Sequence, residues 1–262
     1  MTIELNEVSI AANRKKTQFL NPSLWTRTIA QGRLLLHTVL LFALTAGIGR
    51  AEEHPTRYPN MASLDQYLMA DRNDEIALAR SAAPESVARE AKVMVLTRHG
   101  YETAVEGKDG FVCVVERGWM APFENAEFWN PKIRAPICFN PAAVRSILPV
   151  TIKRTELVLA GLSRAEIMDS IKAGQNRKQL PPFEPGAMSY MMSKRAYLTD
   201  DDGHNLCHLM IYTPLADGAS WGADLPGSPV SFGGKFQGAP EPITVFLVPV
   251  SKWSDGTQAP QM

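Results

Sequence analysis

The order of elements predicts an α+β protein with one mainly antiparallel, five- to six-stranded sheet covered by helices, preceded by an N-terminal signal segment. Three observations carry that expectation. Helical periodicity and β-rich runs are segregated along the chain instead of alternating. Asp-Gly or Asp-rich pairs with glycine separate short runs of Val, Thr and aromatic residues, the pattern of antiparallel hairpins. An apolar run at 34–49, LLLHTVLLFALTAGIG, stands apart behind a basic leader.

The leader carries Arg14, Lys15, Lys16, Arg27 and Arg33 against Glu4 and Glu7. A positive flank, an apolar core and then small residues make the secretory pattern, and Gly49-Arg50-Ala51 places cleavage after Ala51. As a helix the 16-residue run reaches roughly 24 Å, short of a bilayer core of about 30 Å. Residues 1–51 are therefore read as an export signal, with an uncleaved inner-membrane anchor as the alternative. The first cysteine is Cys113, so no lipid-bearing cysteine follows the run. The leader also lacks the arginine pair of a twin-arginine signal.

Residues 52–60 are polar, with Pro55 and Pro59, and read as a linker to a single α+β domain over 61–262. Over 63–82, Leu64, Tyr67, Leu68, Ile76 and Ala79 fall at helical spacing behind a Ser63/Gln66 capping-box signature, so a helix is expected. Pro84 opens a short helix to about residue 90. The period then changes. Residues 92–96, 101–106 and 111–116, separated by Arg98-His99-Gly100 and Lys108-Asp109-Gly110, predict a three-stranded antiparallel meander.

Residues 118–141 read as an irregular loop with Pro122, Pro131, Pro136 and Pro141. The loop also holds Trp119, Phe123, Phe128, Trp129 and Phe139, an aromatic mass that must pack onto the core or wall a binding site. Residues 141–148 and 155–162 are expected to be helical, and Ser163 caps a further helix to about 173. A polar, proline-containing stretch covers 174–186. Strands are expected at 195–199 and 206–213, joined across Asp200-Asp201-Asp202-Gly203, and a glycine- and proline-rich loop leads to a last strand at 243–250. No G-x-G-x-x-G follows a strand, which argues against a dinucleotide fold.

The chain holds 27 basic and 27 acidic residues; the first 51 residues take six basic and two acidic, leaving 21 against 25, a net of −4. No basic stripe survives, so nucleic acid is not expected as a partner, and a membrane only through 34–49 if that segment is retained. Cys113, Cys138 and Cys207 cannot all pair within one chain. Proximity favours a Cys113–Cys138 disulfide in an oxidising compartment, with three buried thiols as the alternative.

Gly218-Ala219-Ser220-Trp221-Gly222 matches the nucleophile elbow, but no helix signal follows and no histidine comes after His208. A convergent triad of His208, Ser220 and an acid from 200–202, Asp202 or Asp200, is the form the chemistry could still take. His204, Cys207 and His208 do not make a metal centre: along a strand Cys207 and His208 point apart, and His204 lies about 13 Å from His208. The 200–205 segment lacks the terminal Glu of a calcium loop and reads as a solvated hairpin tip. Phe232-Gly233-Gly234-Lys235 has the wrong spacing for a phosphate loop. No metal or cofactor is expected.

His208 shares a strand face with Leu206, Met210 and Tyr212, so it either satisfies a buried hydrogen bond or lines a pocket. The expectation is an exported protein of bacterial type, periplasmic or secreted, that binds a small molecule or an envelope protein without catalysis. The ligand would lie between the face of His208 and Tyr212 and loops bearing Trp119, Trp129 and Trp221. The alternatives are a hydrolase using His208 and Ser220, and a membrane-anchored interaction subunit.

Overall fold

The computed structural model describes residues 57–201, 206–232 and 243–260. Its centre is two strands with no solvent-facing side, β3 (Val112–Glu116) and β4 (Ala135–Phe139), every residue of which is buried. Near-continuous apolar sequence is what burial on both faces demands. Around them lie β1 (Lys92–Thr97), β2 (Gly100–Val105), β5 (Met188–Met191), β6 (His208–Pro214), the two-residue β7 (Ser231–Phe232) and β8 (Ile243–Pro249), in the order β2-β1-β3-β4-β5-β6-β8-β7.

The α+β class holds, but the sheet is mixed and larger than expected: seven strands, with β7 as a short eighth at the edge. The expected meander is the main correction. β1 and β2 form an antiparallel hairpin, but β3 lies on the other side of β1 and runs parallel to it, pairing Lys92 with Val112 and Val93 with Cys113. The chain passes from β2 to β3 across the start of β1. Gly107 makes this crossing possible, because a Cβ there would stand 2.2 Å from the Lys92 nitrogen.

β4 lies inside the stretch expected to be irregular. Pro136 pairs with Val115 beyond the end of β5, whose partners on β4 are Cys138 and Phe139, so the proline sits where only one strand flanks it. The expected strand at 195–199 is reduced to a single bridge, Tyr197 with Arg134, and β6 pairs instead with β5 and β8. Asp202 to Asn205 lie outside the described residues.

Helices cover both faces. The long helix expected over 63–82 is broken into a 3₁₀ turn at Leu64–Gln66 and α1 (Arg72–Arg80), which Asp71 starts by accepting from the Asn73 amide at 2.7 Å. With α2 (Glu85–Ala88), α1 and the turn after it pack Leu78, Ala79 and Ala82 against Val93, Cys113 and Val115. On the opposite face α3 (Pro141–Ser146) and α4 (Leu148–Leu159) meet Val112, Val114, Ile137 and Phe139. α5 (Arg164–Asn176) opens with a capping box between Ser163 and Glu166 and lays Ile167 and Ile171 beside Val158 of α4.

One buried ion pair ties these layers. The Arg117 guanidinium, fully buried, donates to Glu75 of α1 at 2.8 Å and to the Tyr67 carbonyl at 2.7 Å, while Glu75 also accepts from the Leu96 amide at 3.1 Å. With its charge so satisfied, the pair fixes how α1 meets β1 and β3; removing either partner would strand the other.

Cys113 and Cys138 face each other across the β3–β4 ladder and form a disulfide. Cys207 is free and buried; burial pushes its thiol up to about 11. Among the described residues no helix is long and apolar enough to cross a membrane. The 34–49 segment lies outside them.

Candidate functional site

Alternation along the strands decides what meets the space under α4 and α5. In β3, Cys113 and Val115 turn to α1, so Val112, Val114 and Glu116 turn to the other face. In β6 the same rule sends His208, Met210 and Tyr212 there, and in β8 Ile243, Val245 and Leu247. The sheet, α4, α5 and the loop after β3 line a cavity of about 520 Å³. From the helices it receives Val150, Thr151, Arg154 and Gln175, and from the loop Met120, Pro122, Phe123 and Asn125.

The walls are chiefly apolar, and the polar groups among them have defined states. Glu116 is the deepest in consequence. Burial pushes its carboxyl up to about 7; a hydrogen bond from Thr151 Oγ1 at 3.2 Å and the positive charge of Arg154 pull back only in part. His208 is held below the usual histidine range by burial. Its Nδ1 lies 2.7 Å from the Leu206 carbonyl, which can only accept, so the neutral ring carries its proton on Nδ1. Nε2 is then an acceptor.

Tyr212 shares a hydrogen bond of 2.8 Å with Ser189 Oγ, and burial raises its hydroxyl above the usual range. Gln175 Oε1 is buried and has no hydrogen-bond partner among the described residues. Arg154 lays its guanidinium 3.9 Å from the centre of the Phe123 ring and donates to the Ala121 carbonyl.

His208 and Tyr212, singled out from the sequence, do line one cavity. The tryptophans do not join them. Trp119 is fully buried, with Nε1 donating to Thr155 Oγ1 at 3.1 Å and its ring 4.9 Å from that of Tyr67. Trp129 packs edge-on to Phe128 at 4.6 Å, and its carbonyl accepts from the Tyr67 hydroxyl. The aromatic loop is thus mostly core, and it touches the cavity through Met120, Pro122 and Phe123.

Trp221 stacks on Phe246 at 4.3 Å, and the Ala216 amide donates to Thr244 Oγ1 at 2.9 Å. Thr244 and Phe246 alternate with the cavity-lining residues of β8, so this loop covers the opposite face of the sheet. Ser220 belongs to the same loop, is exposed, and donates to the Asp217 carbonyl at 2.6 Å. The structure does not bring Ser220 and His208 together. Asp200 is engaged elsewhere, with Tyr58, Tyr197 and Lys132, and Asp202 lies outside the described residues.

Sequence reasoning passed over Glu116, Thr151, Arg154 and Gln175. For Glu116 a signal existed: it is the third member of the Val112, Val114, Glu116 alternation, a carboxyl on an interior face. Among the described residues no group of three His, Cys, Asp or Glu is placed to hold a metal ion. No protein-family model matches the chain, and neither the curated proteins nor the solved structures contain a significant match to it.

Proposed function

We propose that this protein binds a small, largely apolar molecule in the cavity between the β6–β8 face and α4 and α5, without converting it. One observation carries the reading: a cavity of about 520 Å³, apolar in its walls, with a few convergent polar groups. Sites for small organic ligands have that size and that composition. A hydrolase built on His208 and Ser220 has no comparable support, since nothing joins the serine hydroxyl to the ring.

We further read the protein as exported, periplasmic or secreted, with residues 1–51 as the signal. A basic leader before an apolar run supports this, and a disulfide suits an oxidising compartment. An envelope protein as partner, or retention by residues 34–49, stands as the alternative.

Native mass spectrometry of protein recovered from its host tests the binding reading. A retained small-molecule mass is expected, together with its loss in Leu247→Trp, where an indole would occupy the space. A chain that carries nothing, and whose melting temperature no apolar compound raises, would sink it.

A further inference from the structure

β5 and β6 bring a soft donor set to one part of the cavity wall. The two strands run antiparallel, with Met191 directly opposite His208. Met210 lies two places further along β6, so alternation puts it on the same face as His208. All of these side chains line the cavity. Residues directly opposite stand about 5 Å apart at Cβ, and next-but-one residues along a strand about 7 Å. Both gaps are short enough for two unbranched thioether chains and an imidazole to converge on one atom.

The ring is oriented for such a role. Its Nδ1–H is engaged with the Leu206 carbonyl at 2.7 Å, which fixes the tautomer and leaves the Nε2 lone pair available. Nε2 accepts no hydrogen bond among the described residues, and it is not one of the buried atoms shut off from solvent. Histidines that bind metals are held in this way, by a carbonyl or carboxylate on the nitrogen away from the metal. Methionine also fills gaps in cores. Here, however, Met191 and Met210 flank a ring nitrogen that no protein group among the described residues uses.

Donor chemistry selects the metal. Thioether sulfur is soft and uncharged, and beside imidazole it suits Cu(I). Zinc sites take thiolate, imidazole or carboxylate, and calcium and magnesium take oxygen. A monovalent ion also brings less charge into an apolar wall than a divalent one would.

We propose that Met191, Met210 and His208 Nε2 form a binding site for a single Cu(I) ion. The site needs no organic ligand, so it goes beyond the binding reading above and is tested separately from it. Cys207 is not part of it. Cys207 precedes His208 and points to the other side, where its thiol meets the Lys252 carbonyl.

The test is competition for Cu(I) against bicinchoninate, under argon, on the purified full chain. The wild type is expected to withdraw a single equivalent. Met191→Leu and Met210→Leu nearly conserve side-chain volume. Each is expected to weaken Cu(I) binding at least about tenfold, about 1.4 kcal/mol. Met188→Leu changes a thioether on the opposite face of β5, and Cys207→Ala removes the thiol next in sequence to His208; each is expected to change the affinity by less than about twofold. Cu(I) is diamagnetic, so wild-type protein labelled at its methionine methyls gives a second reading that needs no variant to fold. The Met191 and Met210 methyl resonances are expected to move on addition of Cu(I), and that of Met188 to stay.

A chain that takes no Cu(I) from bicinchoninate, or whose affinity survives both leucine substitutions, overturns the proposal. Loss of binding in Cys207→Ala, with the Met191 and Met210 resonances unmoved in the wild type, overturns it as well. Each of these results leaves the small-molecule reading of the cavity standing.

Discussion

Thr151 Oγ1 on α4 donates to Glu116 Oε1 at the end of β3, across 3.2 Å of buried space. The bond is a direct polar link between that helix and the central strand, and its strength depends on the charge of the acceptor. A hydrogen bond to a neutral group contributes about 1 kcal/mol and one to a charged group about 2 kcal/mol. Thr151→Val keeps the shape and removes the donor. The expected loss of stability is therefore about 1 kcal/mol at pH 5.5, where Glu116 is protonated, and about 2 kcal/mol at pH 8. Urea unfolding at the two pH values checks it; an equal loss at both would mean the carboxyl does not ionise between them.

Glu116 itself sets a slope of stability against pH. Burial raises its carboxyl from an ordinary 4.5 to about 7, so the folded chain holds a proton that the unfolded chain has released. Its contribution to stability is greatest below 4.5 and falls as pH rises toward 7, by on the order of 3 kcal/mol. Arg154 and Thr151 of α4 face the group, and Tyr212 and Tyr101 feel its charge. His208 works in the opposite direction. Burial holds its pKa down, so its contribution is full above the ordinary 6.5 and is lost as pH falls. Subtracting the profile of Glu116→Gln from that of the wild type cancels the histidine. The difference is expected to drop across pH 4.5–7, and a flat difference would refute it.

Gly107 is required by position and not by dihedral angle. A Cβ there would meet the Lys92 nitrogen at 2.2 Å and the Ala91 carbonyl carbon at 2.8 Å, both backbone atoms at the start of β1. Neither can turn aside as a side chain would. Gly107→Ala is expected to destabilise the protein by about 3 kcal/mol, at the upper end for overpacking, because it pushes the β2–β3 crossing off the strand it spans. Thermal unfolding of the variant reads it directly.

Cys113 and Cys138 close a loop over a sequence separation of 25, which contains most of the aromatic loop, with its buried Trp119 and Trp129. Constraint of the unfolded chain by a loop of that length contributes about 3 kcal/mol. Unfolding in urea with and without reductant is expected to differ by that amount. Alkylation of the unfolded, unreduced chain is expected to label one thiol, Cys207, since the other two are bonded.

How much of this was legible in the sequence depends on the signal each element sends. The helix behind Ser163 and the strands β1, β2 and β8 have clear periodicity, and each forms close to its expected place. β4 was hidden by Pro136, which normally demotes a run, and β5 by its shortness behind Pro181, Pro182 and Pro185. The parallel placement of β3 could not be read locally, because Asp109-Gly110 turns the chain equally well into a crossing as into a hairpin. Of the cavity, His208 and Tyr212 were visible as one face of one strand. Thr151, Arg154 and Gln175 were not, because only the docking of α4 and α5 makes them neighbours of that face.

Asp200 gives the sharpest contrast between the two views, a residue expected at a solvated hairpin tip that the fold uses as a fastener. Its side chain is 8% exposed and takes Tyr58 and Tyr197 hydroxyls at 2.5 Å each, Lys132 Nζ at 3.2 Å and Arg57 at 3.2 Å. The hydroxyl of Tyr197, then that of Tyr58, holds its carboxyl well below the usual carboxylate range. The network therefore stands at every pH above the ordinary value of 3.8 and is lost only as pH falls through the lowered one. Asp200→Asn puts an amide donor where two hydroxyls and two cations need an acceptor. The segment from Arg57 to Tyr58 is then expected to detach, and trypsin to cut after Arg57 several-fold faster at neutral pH. An unchanged rate of cleavage would mean that other contacts hold the segment and that Asp200 does not.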